Sequence, residues 1–494
     1  MEGPSCQLLL GFLMLTTICA SAAHLRTTMR FGGMRWYEES SMASVNAISP
    51  EFEVHNYTQS LDHFNFKPES YATFQQRYIL NYKYWGGANT SSPIFVYLGA
   101  EIDVTQNLDL SIVDLAARFK GLLLYIEHRY YGVSMPFGSE DEAFQNSSTF
   151  GYLSSEQALA DYAQVIVDVK KDLSAENCPA IAIGGSYGGM LASWFRLKYP
   201  HIVIGSLASS APILYFDDIT PQNGYHVIVS KDFRDTSESC YNTIQQSWAE
   251  IDRVASETNG LLNLSNIFTT CSPLNSSKDL KVYTEIAYMW AAQLDNPPSY
   301  PVNKICSAID GAPSGTDILG RVAAGVNASV FGNSCHSASG SGLSRKSASA
   351  WEWQTCTEMV FPMGYGENET MFQSDPLDIN NYTKECVDVF GIKPRPHWIT
   401  TEFGGHDIKT VLGNFASNII FSNGLRDPWS AGGVLEDISD SVVALYTEQG
   451  SHCLDLYPPT SSDPDWLLAL RDKENKIIAY WLAEYYAKLN YISN

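Results

Sequence analysis

The chain has 494 residues, of which 45% are hydrophobic and 17% charged, and its formal net charge is −23 at pH 7. That length exceeds one ordinary domain and allows a large core, and the composition excludes a disordered polymer. The acidic balance disfavours nucleic acid and anionic membrane surfaces as partners.

Leu8 to Leu15 form a short apolar run, and Ala20-Ser21-Ala22 supplies small residues for cleavage, so 1–22 reads as a secretory signal peptide. Its first residues are unusual in carrying Glu2 and no lysine or arginine. Residues 23–50 hold Arg26, Arg30 and Arg35 with little periodicity and read as a propeptide or loose arm. No later stretch has the uninterrupted apolar length of a membrane helix, so no integral membrane segment is expected in the mature protein.

Buried strands are expected at Ile94–Leu98 and Leu122–Ile126, which are short and wholly apolar or aromatic. A helix is expected over Ser155–Leu173, capped by Ser154 or Ser155, with Ala158, Tyr162, Val165 and Val169 on one face. The run Pro179–Ile183 predicts a strand, 188–198 a helix and 202–208 a further strand. Strands alternating with helices predict a parallel sheet covered on both faces, starting near residue 51. The pattern changes at 214–395, which carries helical stretches at 245–258 and 278–294 and reads as an insertion. A Ser/Gly/Ala-rich stretch at 334–350 reads as an exposed loop. Strand signals return at Asn418–Ser422 and Ser441–Leu445, and a helix through Ile477, Ile478, Trp481, Leu482 and Tyr486 closes the chain. The core therefore divides into 51–213 and 396–494.

The pentapeptide Gly184-Gly-Ser-Tyr-Gly188 follows the 179–183 strand. G-x-S-x-G between a strand and a helix is the turn that lifts a serine oxygen out of the backbone. Ser186 is thus a candidate nucleophile. A serine hydroxyl needs a base, and the base needs a carboxylate to fix its tautomer. In α/β hydrolases the acid and then the histidine follow later strands. Asp427 stands five residues after Ser422, and His452 stands soon after the strand ending near Tyr446. His397 and His406 precede Asp427 and break that order, while His201 follows the nucleophile helix too closely. The oxyanion hole is expected from the N–H of Tyr187 and from Gly99 or Ala100 in the loop after Leu98.

Together, Gly184–Met190, Glu127-His-Arg-Tyr-Tyr-Gly132, Ser155–Asp161, Ser422–Ser430 and Gly450–Leu456 resemble the Pro-X carboxypeptidase family of serine peptidases, which also contains dipeptidyl peptidase II. The resemblance runs from about Asn56 to the C-terminus. It implies Ser186 as nucleophile, Asp427 as acid and His452 as base, on an α/β-hydrolase core with an inserted helical cap domain. It implies cleavage of peptides that carry proline near a chain end, with no metal or organic cofactor; a homodimer is left open. It implies disulfides Cys240–Cys306, Cys271–Cys335 and Cys356–Cys386, which leaves Cys178 and Cys453 as free thiols. Two departures stand out. Gly99-Ala-Glu-Ile102 replaces the family's usual Gly-Asn-Glu-Gly, and Cys453 replaces a second histidine beside His452.

Proline before the scissile bond needs a compact apolar slot, for which Trp429 is the candidate wall. A carboxypeptidase must hold a terminal carboxylate, with arginine or an N–H nest. A dipeptidyl peptidase must hold a terminal ammonium, with Glu101 or Glu127. The wording Lys393-Pro-Arg-Pro-His-Trp-Ile-Thr400 is closer to the carboxypeptidase branch. Other readings are a catalytically silent binding protein on the same fold and an esterase on the same triad. Clustered cysteines and eight N-x-S/T sequons, at Asn56, Asn89, Asn146, Asn263, Asn275, Asn327, Asn368 and Asn381, predict a glycoprotein, and with the signal peptide the resemblance implies the lysosome, vacuole or extracellular space.

Overall fold

The computed structural model describes residues 48–329, 345–366 and 368–493. The expected signal peptide, most of the expected arm, Cys335 and much of the Ser/Gly/Ala-rich stretch lie outside the described residues.

One sheet holds eight strands: β1 (Glu53–Ser60), β2 (Thr73–Asn81), β3 (Ile94–Leu98), β4 (Leu122–Ile126), β5 (Ala180–Gly185), β6 (Gly205–Ser209), β7 (Ile419–Gly424) and β8 (Val442–Thr447). Their spatial order is β1-β2-β4-β3-β5-β6-β7-β8. From β4 to β8 every neighbour pair is parallel, whereas β1–β2 and β2–β4 are antiparallel. The parallel pairing expected from the sequence holds from β4 to β8, and β1 and β2 add an antiparallel edge. β1 reads Glu-Val-His-Asn-Tyr-Thr-Gln-Ser and is half open to solvent at the sheet edge, so no apolar run marks it.

The inner strands are buried on both faces because alternate side chains feed two layers. Val96, Leu98, Leu124 and Ala182 pack with Ala158 and Tyr162 of α2 (Ser155–Asp172) and Met190 and Leu191 of α3 (Tyr187–Lys198). Phe95, Tyr97, Leu123 and Ile183 pack with Leu115 of α1 (Ile112–Phe119) and with Trp481 and Leu482 of the closing helix, Asp465–Ser493. α2 begins as the cap signal predicts, Ser154 accepting a hydrogen bond from the Gln157 N–H at 3.4 Å.

Between β6 and β7, over residues 214–395, the described chain forms α4 (Gly224–Thr236), α5 (Glu238–Ala255), α6 (Gly260–Ile267), α7 (Ser277–Gln293), α8 (Pro301–Asp310), α9 (Ile318–Asn327), α10 (Arg345–Thr357) and α11 (Ile379–Phe390). No strand interrupts them among the described residues. Their apolar residues, including Val229, Ile244, Tyr288 and Val322, join the same cluster as the α2–α3 face of the sheet. Cys240 is bonded to Cys306 and Cys356 to Cys386, with Cα separations of 5.2 and 5.4 Å. Cys271 is also disulfide-bonded, and Cys178 and Cys453 are free and buried. The architecture is an α/β-hydrolase core with helices inserted after β6.

Candidate active site

β5 ends at Gly185 and α3 starts at Tyr187, so Ser186 occupies the turn alone. Its φ and ψ are 58° and −126°, a region that residues with a Cβ rarely enter. The turn is held by the Ser186 N–H donating to Ser209 O at 2.9 Å and the Met190 N–H donating to Ser186 O at 3.0 Å. Glycine is required beside it: a Cβ on Gly184 would lie 2.1 Å from Gly188 O.

Asp427 follows β7 and His452 follows β8. The two loops touch so closely that a Cβ on Gly424 would lie 2.2 Å from Gly450 O. Asp427 is fully buried; its Oδ1 accepts the Trp429 N–H at 3.0 Å and its Oδ2 accepts from His452 Nδ1 at 2.8 Å. Burial disfavours an imidazolium at His452, but the adjacent Asp427 carboxylate and Cys453 outweigh it and hold the ring well above its usual pKa. With Nδ1 occupied by Asp427, Nε2 is the nitrogen left for chemistry. His452 Nε2 and Ser186 Oγ are both buried and neither makes a hydrogen bond.

Tyr187 heads α3, where N–H groups have no intrahelical acceptor. The loop after β3 approaches this turn, a Cβ on Gly188 lying 3.0 Å from Leu98 O and 3.5 Å from the Ala100 Cβ. Gly99 is corrected as an oxyanion donor: its N–H already donates to Ile126 O at 2.8 Å. Ala100 keeps its N–H out of any hydrogen bond among the described residues.

Glu101, next in that loop, is 2% exposed and its Oε2 has no hydrogen-bond partner. Burial raises its pKa to about 7, against the opposing pull of its own N–H and of His452. Glu127 does not share this openness. Its carboxylate takes the Ser134 hydroxyl at 2.7 Å, the Val133 and Val104 N–H groups at 3.0 and 3.2 Å, and the Arg77 guanidinium. The expectation that Glu127 serves a substrate ammonium is therefore corrected, since its lone pairs are filled.

Trp429 is 1% exposed, and its ring meets Tyr225, Phe361 and Tyr215 edge-on at 4.9, 5.6 and 5.8 Å. Its Nε1 donates to Gln293 Oε1 at 3.1 Å. Sequence reasoning missed Gln293. This last residue of α7 also accepts the His452 N–H on its carbonyl at 3.2 Å, while its Nε2 stays buried without a partner. A glutamine at a helix end, 159 positions before the histidine it touches, carries no local signal. His397 and His406 pair with Asp217 away from this constellation, and His201 is exposed.

The other motifs are scaffold. His128 donates from Nδ1 to Arg129 O at 2.7 Å and accepts the Tyr187 hydroxyl on Nε2 at 3.1 Å. Burial pulls its pKa down to about 4, which keeps Nε2 an acceptor. Gln354 of α10 donates to the same Tyr187 oxygen at 2.9 Å. Arg129 grips Asp161 of α2 at 2.6 and 2.7 Å. Seven of the eight sequon asparagines are exposed, and Asn327 is half-buried.

The serine carboxypeptidase S28 family matches residues 59–474. The lysosomal Pro-X carboxypeptidase of Mus musculus is 37% identical over 98% of this chain and 99% of its own length. That of Homo sapiens is 37% identical over 90% and 91%, and the prolyl carboxy peptidase like protein 5 of Caenorhabditis elegans is 31% identical over 96% and 97%. A strained serine after β5, a buried carboxylate–imidazole pair after β7 and β8, and this match over most of the length agree: the chain is a serine carboxypeptidase and belongs to the serine carboxypeptidase S28 family.

Proposed function

We propose that this enzyme removes the C-terminal residue that follows a proline, through an acyl-enzyme on Ser186. In this reading the neutral form of His452 takes the Ser186 proton on Nε2 as Oγ attacks the prolyl carbonyl, and Asp427, which favours the charged ring, steadies the imidazolium that forms. The Tyr187 and Ala100 N–H groups receive the oxyanion. His452 then protonates the leaving amine, and water attack on the ester frees the shortened peptide. The observation that carries the reading is the buried Asp427–His452 bond of 2.8 Å, with Nε2 unengaged. The aromatic ring set around Trp429 suits the proline ring. We further propose that the 214–395 segment caps the cleft and restricts it to chain ends, and that the enzyme works in the lysosome or elsewhere in the secretory pathway. The relatives' names and the exposed sequons support that placement. No helix among the described residues is long and apolar enough to cross a membrane.

A second reading rests on Glu101, whose open carboxyl is also what a terminal ammonium needs. It makes the enzyme a dipeptidyl aminopeptidase. An N-blocked X-Pro-Phe peptide and a free Lys-Pro-amide reporter separate the two. Cleavage of the blocked peptide is expected; cleavage of the reporter alone overturns the carboxypeptidase assignment. Fluorophosphonate labelling of folded enzyme at Ser186 tests the nucleophile, and absence of labelling would favour a silent binding protein.

A further inference from the structure

A carboxypeptidase has to recognise a free terminal carboxylate, and the obvious cations around this site are already engaged. Arg426, beside Asp427, donates from Nη2 to Asp295 and is ion-paired through Nε with Asp232 at 3.6 Å, although that Nε makes no hydrogen bond. Arg77 on β2 is held between Asp103 and Glu127, and Arg129 is paired with Asp161 at 2.6 Å. The loop that brings Ala100 to the oxyanion position instead presents a carboxyl group. Glu101 is buried, its Oε2 has no partner, and it lies in the electrostatic field of His452. The other titratable groups that feel it are Tyr97 of β3 and Tyr131 of the 127–132 motif. Neither tyrosine supplies charge there, because burial raises both well above their usual pKa.

At Glu101 burial outweighs the opposing pull of His452 and favours the neutral carboxyl, and a neutral carboxylic acid is a hydrogen-bond donor. Donated to a carboxylate, such a bond is among the strong, charge-assisted ones.

We propose that Glu101 determines specificity for the free C-terminus, its Oε2–H donating to the substrate's terminal carboxylate. This rests on the carboxypeptidase reading above. It makes the acidic side of neutrality the working range for carboxylate recognition, since an ionised Glu101 would repel the same group. The raised pKa of about 7 sets where that change falls.

The test uses the full-length enzyme with N-blocked X-Pro-Phe and its C-terminal amide. For the wild type, KM for the free acid should rise about tenfold per pH unit above Glu101 ionisation, while KM for the amide stays flat. Glu101→Gln keeps a donor that cannot ionise, so its KM for the free acid should stay nearly constant from pH 5 to 8. Glu101→Ala should raise KM for the free acid at every pH and leave the amide unaffected. If Glu101→Gln follows the wild-type KM profile, or if acid and amide respond alike, the proposal is overturned. Thermal unfolding of both variants separates misfolding from lost recognition. Failure of the carboxypeptidase reading itself looks different: the blocked peptide is then uncut by wild type, and Glu101→Gln loses the Lys-Pro-amide reporter.

Discussion

The loop 127–132 and the loop 98–101 leave adjacent strands of one sheet, yet they treat polar atoms in opposite ways. In the first, Glu127, His128 and Arg129 are each bound by two or more partners. In the second, Ala100 N–H and Glu101 Oε2 are open, as are Ser186 Oγ and His452 Nε2 of the candidate site. Buried polar atoms are normally paired, so unpaired ones in a candidate site are atoms whose hydrogen bonding a substrate can complete. Both loops are equally conspicuous as sequence motifs. Only the unfinished one is placed to do chemistry.

Substitutions should divide along that line. Ser186→Ala should lower kcat by roughly 10⁶ and Asp427→Asn by roughly 10⁴, in steady-state assays, with thermal stability nearly unchanged. Arg129→Met should do the reverse. It leaves the buried Asp161 carboxylate with His63 as its one remaining side-chain partner and should cost about 3 kcal/mol in denaturant unfolding, while kcat/KM per folded molecule stays near wild type. A catalytic loss in Arg129→Met without destabilisation would break the contrast between the two loops.

A smaller effect concerns pH. Asp455 and Glu474 are fully buried and lie in each other's field, with Ser209 and Ser422 as hydrogen-bond donors at 2.5 and 2.7 Å. Burial raises both pKa values, although Arg471 pulls them down. The folded state therefore keeps protons that the unfolded chain releases. That stability is complete below the unfolded carboxylate pKa of about 4 and is lost as pH climbs through the raised folded values. The melting temperature should fall from pH 5 to 7.5, and Glu474→Gln should flatten the fall. An equal slope in the variant would remove Glu474 from the account.

What could be read in advance follows from how local each signal is. β3 and β4 are five-residue apolar runs, and Ser186 sits in a motif whose glycines have a steric purpose visible in the spacing. Asp427 and His452 could be singled out because chain order narrows the candidates, and the structure joins them by a hydrogen bond of 2.8 Å. β1 was not, since its pairing partner lies a turn and a short helix away and its own pattern is mostly polar. Glu101 and Glu127 look alike in sequence, and only the count of donors around each carboxyl tells recognition from scaffold. Gly99 was misjudged for the same reason, because its N–H is claimed by a carbonyl on the neighbouring strand.

Gln293 gives the inserted helices a role beyond coverage. Its carbonyl accepts the N–H of His452, the candidate base, and its side chain accepts the Trp429 Nε1–H. The insertion is therefore not an interchangeable module. A chimera that grafts a relative's helices onto this sheet inherits a working base only if the transplanted α7 ends with the same two-sided joint.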